Sequence, residues 1–131
     1  MKRIIIASGP VIVENKKVLL NKHGEDNFWK FCGGKVKDFD TSLIECARRE
    51  AREEMGIELD IANRKPFVMH VLKKTPEGEE IDVLLVHYEA KRIGEISPGT
   101  HIREWGWFHL DDFPEDIAEN IPEALLHFNH L

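Results

Sequence analysis

The chain has 131 residues, 42% of them hydrophobic and 32% charged, and a formal net charge of −6. That length fits one compact domain, taken here as residues 1–131, whose apolar core needs no covalent staples. The composition excludes a disordered or membrane-embedded chain. The acidic balance excludes nucleic acid as the main partner, because polyanion binding relies on basic groups that release counterions.

The first residues, Met1 to Ala7, hold an apolar run of about four before Ser8-Gly9-Pro10, short of the roughly 7–15 of a secretory segment. They read as the start of a strand, Ile4 to Val13. A polar turn at Glu14-Asn15-Lys16 leads to a second strand, Lys17 to Asn21. His23 to Asn27 is a polar loop, and Phe28 to Cys32 alternates large apolar residues as a third strand. Gly33-Gly34 ends it and allows something to approach the backbone closely.

Lys37 to Thr41 is a loop, and Thr41 or Ser42 caps the helix that follows. Ser42 and Glu45 have the spacing of a capping box. Ile44, Ala47, Ala51 and Met55 form one apolar stripe, which predicts a helix over Leu43 to Met55, and Gly56 stands where a terminating glycine belongs. Phe67 to Lys73 and Ile81 to Ala90 read as paired strands around a turn at Thr75-Pro76-Glu77-Gly78. Glu104 to Leu110 is a further strand. Asp111 to Leu131 holds a final helix that begins near Asn120 or Ile121, with Pro122 in its first turn. The order of strands, helix, strands and helix predicts an α+β fold, a mixed sheet with helices packed on it.

Cys32 and Cys46 are too few for a disulfide framework and have no metal-type spacing, so they are expected to be reduced thiols of a cytoplasmic protein. No stretch reaches the roughly 20 apolar residues of a membrane span.

The chemistry concentrates on the helix. Glu50, Glu53 and Glu54 stand at i, i+3 and i+4, so three carboxylates share one face, about 100° from the apolar stripe. Their mutual repulsion costs about 0.2–0.5 kcal/mol per pair on an exposed helix. Arg49 and Arg52 offset part of it, and a hard divalent cation offsets more. A solvated, charge-laced surface helix explains the acids alone. It does not explain the double glycine upstream, Gly56 at the exit, and two arginines among the acids.

The segment from about residue 33 to 57 resembles the Nudix box: glycine, five residues, glutamate, seven residues, then Arg-Glu-apolar-x-Glu-Glu-x-Gly-apolar. Arg49, Glu50, Ala51, Glu53, Glu54, Gly56 and Ile57 match its second half at every fixed position. The first half departs from it. Counting back from Arg49 puts Thr41 at the family's first glutamate, and counting forward from Gly34 puts Asp40 there, as if one residue were inserted in the loop. Asp40 or Asp38 is the candidate replacement. Cys32 also stands where family members often have proline.

The resemblance implies a sandwich of a mixed sheet between helices. It implies hydrolysis of a phosphoanhydride bond in a nucleoside diphosphate linked to another group, a modified nucleoside triphosphate among them. The alternatives are a nucleotide sugar or other such compound as substrate, or a nucleotide sensor that does not hydrolyse. The implied cofactor is Mg2+, with Mn2+ as the alternative, and a bound metal would reverse the local negative sign for a phosphorylated ligand. Gly33 (through its carbonyl), Glu50, Glu53 and Glu54 are the implied metal ligands, with Glu50 also a candidate base and Arg49 orienting a glutamate. Lys35 faces phosphate oxygens or is an exposed lysine at a strand edge. Asn120 is the candidate reader of a base. His101 and Glu104 are weaker candidates for the metal or base, and Trp29, Trp105 and Trp107 for stacking. His70 and His87 read as structural. The expected partner is a small nucleotide-like molecule, with no nucleic acid or membrane, and the assembly a monomer or homodimer.

Overall fold

A computed structural model describes residues 3–131. The elements run β1 (Arg3–Val11), β2 (Val13–Glu14), β3 (Lys17–His23), β4 (Gly34–Lys35), α1 (Leu43–Met55), β5 (Glu58–Ile61), β6 (Phe67–Lys74), β7 (Glu80–Ile93), β8 (Ile102–His109) and α2 (Asn120–His127). The long β7 organises the larger sheet. β1 runs parallel to it with Gly9 opposite His87, while β6 and β5 pair antiparallel with its first and last stretches. β4 closes the far edge on β1.

The other strands form a second, antiparallel sheet in the order β2-β3-β8, so the one mixed sheet expected from the sequence is two. The reason is local. Asn15 and Lys16 both take positive φ (51° and 62°), the twist that suits a tight hairpin turn, and β3 folds back on β2. Both edges of β1 are already taken, by β7 and β4, so β3 finds its second partner in β8.

Successive strand residues face opposite sides, which puts the sheets between the helices. Ile12 and Leu19 pack with Ala47, Ala51 and Met55 of α1. Their neighbours Val11, Val18 and Leu20 pack with Ile121, Ala124 and Leu125 of α2. Each large aliphatic side chain in these layers contributes about 1.5–3 kcal/mol by leaving water. The fold is therefore α+β with the layered α/β/α plan.

α1 has the predicted bounds. Of the two candidate caps it uses Ser42, whose Oγ accepts from the Glu45 amide at 3.1 Å. The reciprocal half of the capping box is replaced by an ion pair, since the Glu45 carboxylate lies 3.5 Å from Arg48. Gly56 ends the helix at φ 66°; its amide donates to the Arg52 carbonyl, and the Ile57 amide donates to that of Ala51. Two further carbonyls of the last turn are taken from outside: Ser97 donates to Met55 at 2.8 Å and Gly99 to Glu54 at 2.9 Å.

Two expectations are corrected. Phe28 to Cys32 is not a continuous strand, only two isolated bridges, Asn21 with Lys30 and Trp29 with Ile117. Its backbone groups go to segments on opposite sides: Lys30 exchanges bonds with Asn21, while Trp29 donates to Asp116 and accepts from Ala118. β5 was not expected, although Ile57, Leu59 and Ile61 alternate with Glu58 and Asp60 at the period of a strand. Among the described residues no helix is long and apolar enough to cross a membrane.

Candidate active site

The acidic face of α1 meets the double glycine. Glu50 and Glu54 are buried, whereas the Glu53 side chain is 58% exposed. One Glu54 oxygen accepts from the Gly33 amide at 2.9 Å, and the other lies against Nε2 of His23. The Glu50 carboxylate rests on Gly34, where a Cβ would come within 2.6 Å of its nearer oxygen. A side chain at that position would push Glu50 away. Gly33 sits at φ 153°, and a Cβ there would meet the Ser8 carbonyl at 2.8 Å. The close approach implied by the two glycines is thus to β1 on one side and to a carboxylate on the other.

Arg49 ties the cluster together. Its Nε and Nη2 donate to the two Asp40 oxygens, both at 2.9 Å, a bidentate fork. Nη1 reaches Glu50 at 2.9 Å and Glu53 at 3.2 Å, and Nη2 also donates to the Lys35 carbonyl at 3.0 Å. Of the two aspartates weighed for the inserted loop, Asp40 is the one in the network. Its side chain is only 3% exposed, while Asp38 is exposed and takes no part.

The electrostatics follow from this geometry. Arg49 holds the Asp40 carboxyl below its usual 3.8, at about 2. The Glu50 carboxyl is pushed up, first by burial and then by the charge of Glu54, with Arg49 opposing. Three carboxylates, those of Asp40, Glu50 and Glu53, meet one guanidinium, while Glu54 lies against His23, and their oxygens are the hard donors that a magnesium-like cation prefers. The residues present therefore fit a hard divalent cation. Among the described residues no three carboxylate, imidazole or thiol groups converge as a finished cage, because Arg49, His23 and the Gly33 amide already engage the oxygens.

Two cavities flank the double glycine. The smaller, about 140 Å³, is lined by Glu50, Glu53, Glu54, His23, His101 and Ile102. The larger, about 580 Å³, lies on the other side and includes Gly33, Gly34, Lys35 and Asn120 in its wall. The sequence candidates divide between them: the glutamates and His101 border the smaller, Gly33, Lys35 and Asn120 the larger, and Arg49 neither. Glu104 borders neither and lies 3.8 Å from Lys22.

The tryptophans are corrected as stacking candidates, since none lines either cavity. Trp29 packs on Phe108, and Trp107 joins the core below α1 with Arg92 over its ring. The aromatic wall of the larger cavity is Phe28 and Phe31. Two histidines to which the sequence assigned no role also border the cavities. His23 extends the face of Leu19 and Asn21 at the period of a strand, and that alternation was the signal available. His87 is buried in the wall of the larger cavity, and burial lowers its pKa to about 4, so it is neutral.

A family model described as the NUDIX domain matches residues 3–128. No curated protein matches the chain. Among solved structures, a MutT NUDIX hydrolase from Burkholderia pseudomallei is similar at 26% identity and TM-score 0.75, covering 95% of this chain and 98% of the other. A MutT protein from Methanosarcina mazei Go1 superposes at TM-score 0.76 with 22% identity, covering 98% and 94%. An ADP-ribose pyrophosphatase from Streptococcus suis 89-1591 superposes at 0.67 with 22% identity, covering 93% and 87%. At those identities the last two speak to the fold alone.

Proposed function

The chain belongs to the Nudix family of pyrophosphate hydrolases, and from that premise we propose that it cleaves a nucleoside triphosphate, using Mg2+ or, in its place, Mn2+. One observation carries the reading: the same two glycines wall the larger cavity and directly contact the buried carboxylates of Glu50 and Glu54. A ligand seated in the cavity places its phosphate chain at that shared backbone. Lys35 borders the cavity and supplies charge there.

Glu50, Glu53 and Glu54, with the Gly33 carbonyl, would hold the cation. When bound, it neutralises charge that develops on the phosphate oxygens and lowers the pKa of a water. The residues of the chain do the rest. The Gly33 amide fixes one oxygen of Glu54, so the carboxylate has a set direction. Arg49, itself fixed by Asp40, orients Glu50 and Glu53. Glu50, whose carboxyl is raised by burial and by Glu54, is suited to take a proton from an attacking water. The chain acts as one domain on a small soluble substrate in the cytoplasm, as a monomer or homodimer.

Substrate choice is tested by a panel of nucleoside triphosphates, nucleotide sugars and ADP-ribose with magnesium, read by product identity. The expected result is turnover of a triphosphate to monophosphate and pyrophosphate. Exclusive cleavage of a nucleotide sugar or of ADP-ribose moves the assignment to that class. Binding without turnover across the panel ends the hydrolase reading.

Asp40 is proposed as the replacement for the family glutamate, acting through Arg49. Asp40→Asn is expected to weaken apparent magnesium affinity by about 10–100-fold, the scale of a ligand-orienting partner. It should also change the acid limb of stability. The ionised Asp40 stabilises the fold above about pH 4, and that contribution fades as pH falls toward 2, because its folded pKa lies below its unfolded one. In the variant this component of the acid limb is absent. An unchanged magnesium titration removes Asp40 from the account.

A further inference from the structure

A chain of three groups that the mechanism above does not use runs from β1 into the wall of the larger cavity. Nδ1 of His87 lies 3.2 Å from the Gly9 carbonyl oxygen, and Nε2 of the same ring lies 3.1 Å from Nδ2 of Asn120. Both side chains are buried, and both border the cavity. The polarity of the chain is forced from one end. A backbone carbonyl only accepts, so Nδ1 carries the proton and donates to it. The ring is neutral, held so by burial, which leaves Nε2 with a lone pair. Nε2 therefore accepts, and the Asn120 amide must turn its NH2 toward the histidine. What remains for a ligand is the oxygen of that amide, fixed as its one acceptor, beside the second N–H of the NH2 group.

We propose that His87 is a positioning residue that fixes the Asn120 amide with its oxygen as the acceptor offered to the cavity, so that the bound heterocycle is one carrying an N–H donor. The inference rests on the cavity being the nucleotide site. Three observations support the class of ligand. Phe28 and Phe31 give the wall flat aromatic surface, and Ile5, Val71, Val83 and Leu85 keep it apolar, so one oriented acceptor discriminates strongly. The His87 ring is itself braced by Phe31, at a centroid distance of 4.9 Å. Gly9 cannot drift away from the ring, because β1 is paired to β7 with Gly9 and His87 in register. The amide is thus directed by a group outside the ligand. An unbraced asparagine would rotate to suit either a donor or an acceptor and would select neither.

The test uses nucleoside triphosphates that differ by one amino group: purine against 2-aminopurine and adenine, and pyrimidin-2-one against cytosine. Dissociation constants are read by calorimetry with calcium in place of magnesium, and turnover is measured separately with magnesium. For the unmodified protein, at least one amino-bearing base is expected to bind about tenfold tighter than its amino-free partner, the scale of one hydrogen bond. In His87→Phe the ratio is expected to fall below about threefold, because nothing then orients the amide. In His87→Gln it is expected to persist, since a glutamine amide can donate to Gly9 and accept from Asn120.

Nitrogen NMR of the unmodified protein should place the His87 proton on Nδ1 near pH 7, a readout that does not depend on any variant folding. A proton on Nε2 overturns the proposal. So does a ratio near one in the unmodified protein, the unmodified ratio in His87→Phe, or no binding of any of these nucleotides. Discrimination in binding with no turnover leaves the relay standing and removes the hydrolase reading. Turnover without discrimination does the reverse.

Discussion

Glu54→Gln is expected to lower kcat by about 10²–10⁴-fold while the protein stays folded. The replacement keeps the shape of the side chain and an oxygen for the Gly33 amide, so the contact at 2.9 Å survives. Its NH2 group can donate to His23 Nε2, with the ring proton moving to the other nitrogen. What disappears is a formal charge from a buried group that already crowds Glu50. Stability should therefore hold or rise slightly, because the burial of a charge and its repulsion by Glu50 are both relieved. Glu53→Gln should also lower turnover by orders of magnitude, with even less structural effect, since that side chain is largely in solvent. The measurements are kcat at saturating magnesium and thermal melts of each variant. Rates near normal in both variants sink the metal assignment of this helix face.

Gly9→Ala is expected to have the largest effect on stability. A Cβ at that position would stand 1.9 Å from the Cys32 carbonyl oxygen, 2.8 Å from the Cys32 carbonyl carbon and 2.7 Å from the Gly33 Cα. All three are backbone atoms, so no rotamer change relieves the clash. β1 cannot retreat, being paired to β4 on one side and β7 on the other. Either a strand pairing or the Cys32-Gly33 segment must give, at a cost of at least about 4 kcal/mol. Gly106→Ala is the control, since the nearest atoms to a Cβ there belong to the Phe108 ring at 3.6 Å and 3.7 Å. That change should stay within about 1 kcal/mol. Urea denaturation compares the two, and a Gly9→Ala midpoint equal to that of Gly106→Ala contradicts this reading of the strand crossing.

How much of this was legible in the sequence depended on how far each residue's partner lies along the chain. α1 was read with its bounds because its signals are local: a stripe at spacings of three and four, a serine before it and a glycine after it. The match of Arg49 to Ile57 to a family pattern is local too, and it carried the activity. The segment Phe28 to Cys32 misled for the opposite reason. Its apolar alternation is real, but Asp116 and Ala118, remote in sequence, take up the Trp29 backbone and leave no ladder. Asp40 and Asp38 were indistinguishable by counting, and only the position of Arg49 in space separates them. His87 read as an ordinary strand histidine because both of its partners, Gly9 and Asn120, come from other elements.

The end of α1 has a further consequence. Its last carbonyls, on Glu54 and Met55, are bonded by the amides of Gly99 and Ser97. Those two protons can reach solvent only when the acidic helix loosens its final turn or the loop lifts off it. Their rate of exchange with deuterated water is thus a clock on the part of the helix that carries Glu54. The same stretch of chain leads straight into His101 on the rim of the smaller cavity, so one opening event would loosen both walls of that cavity together.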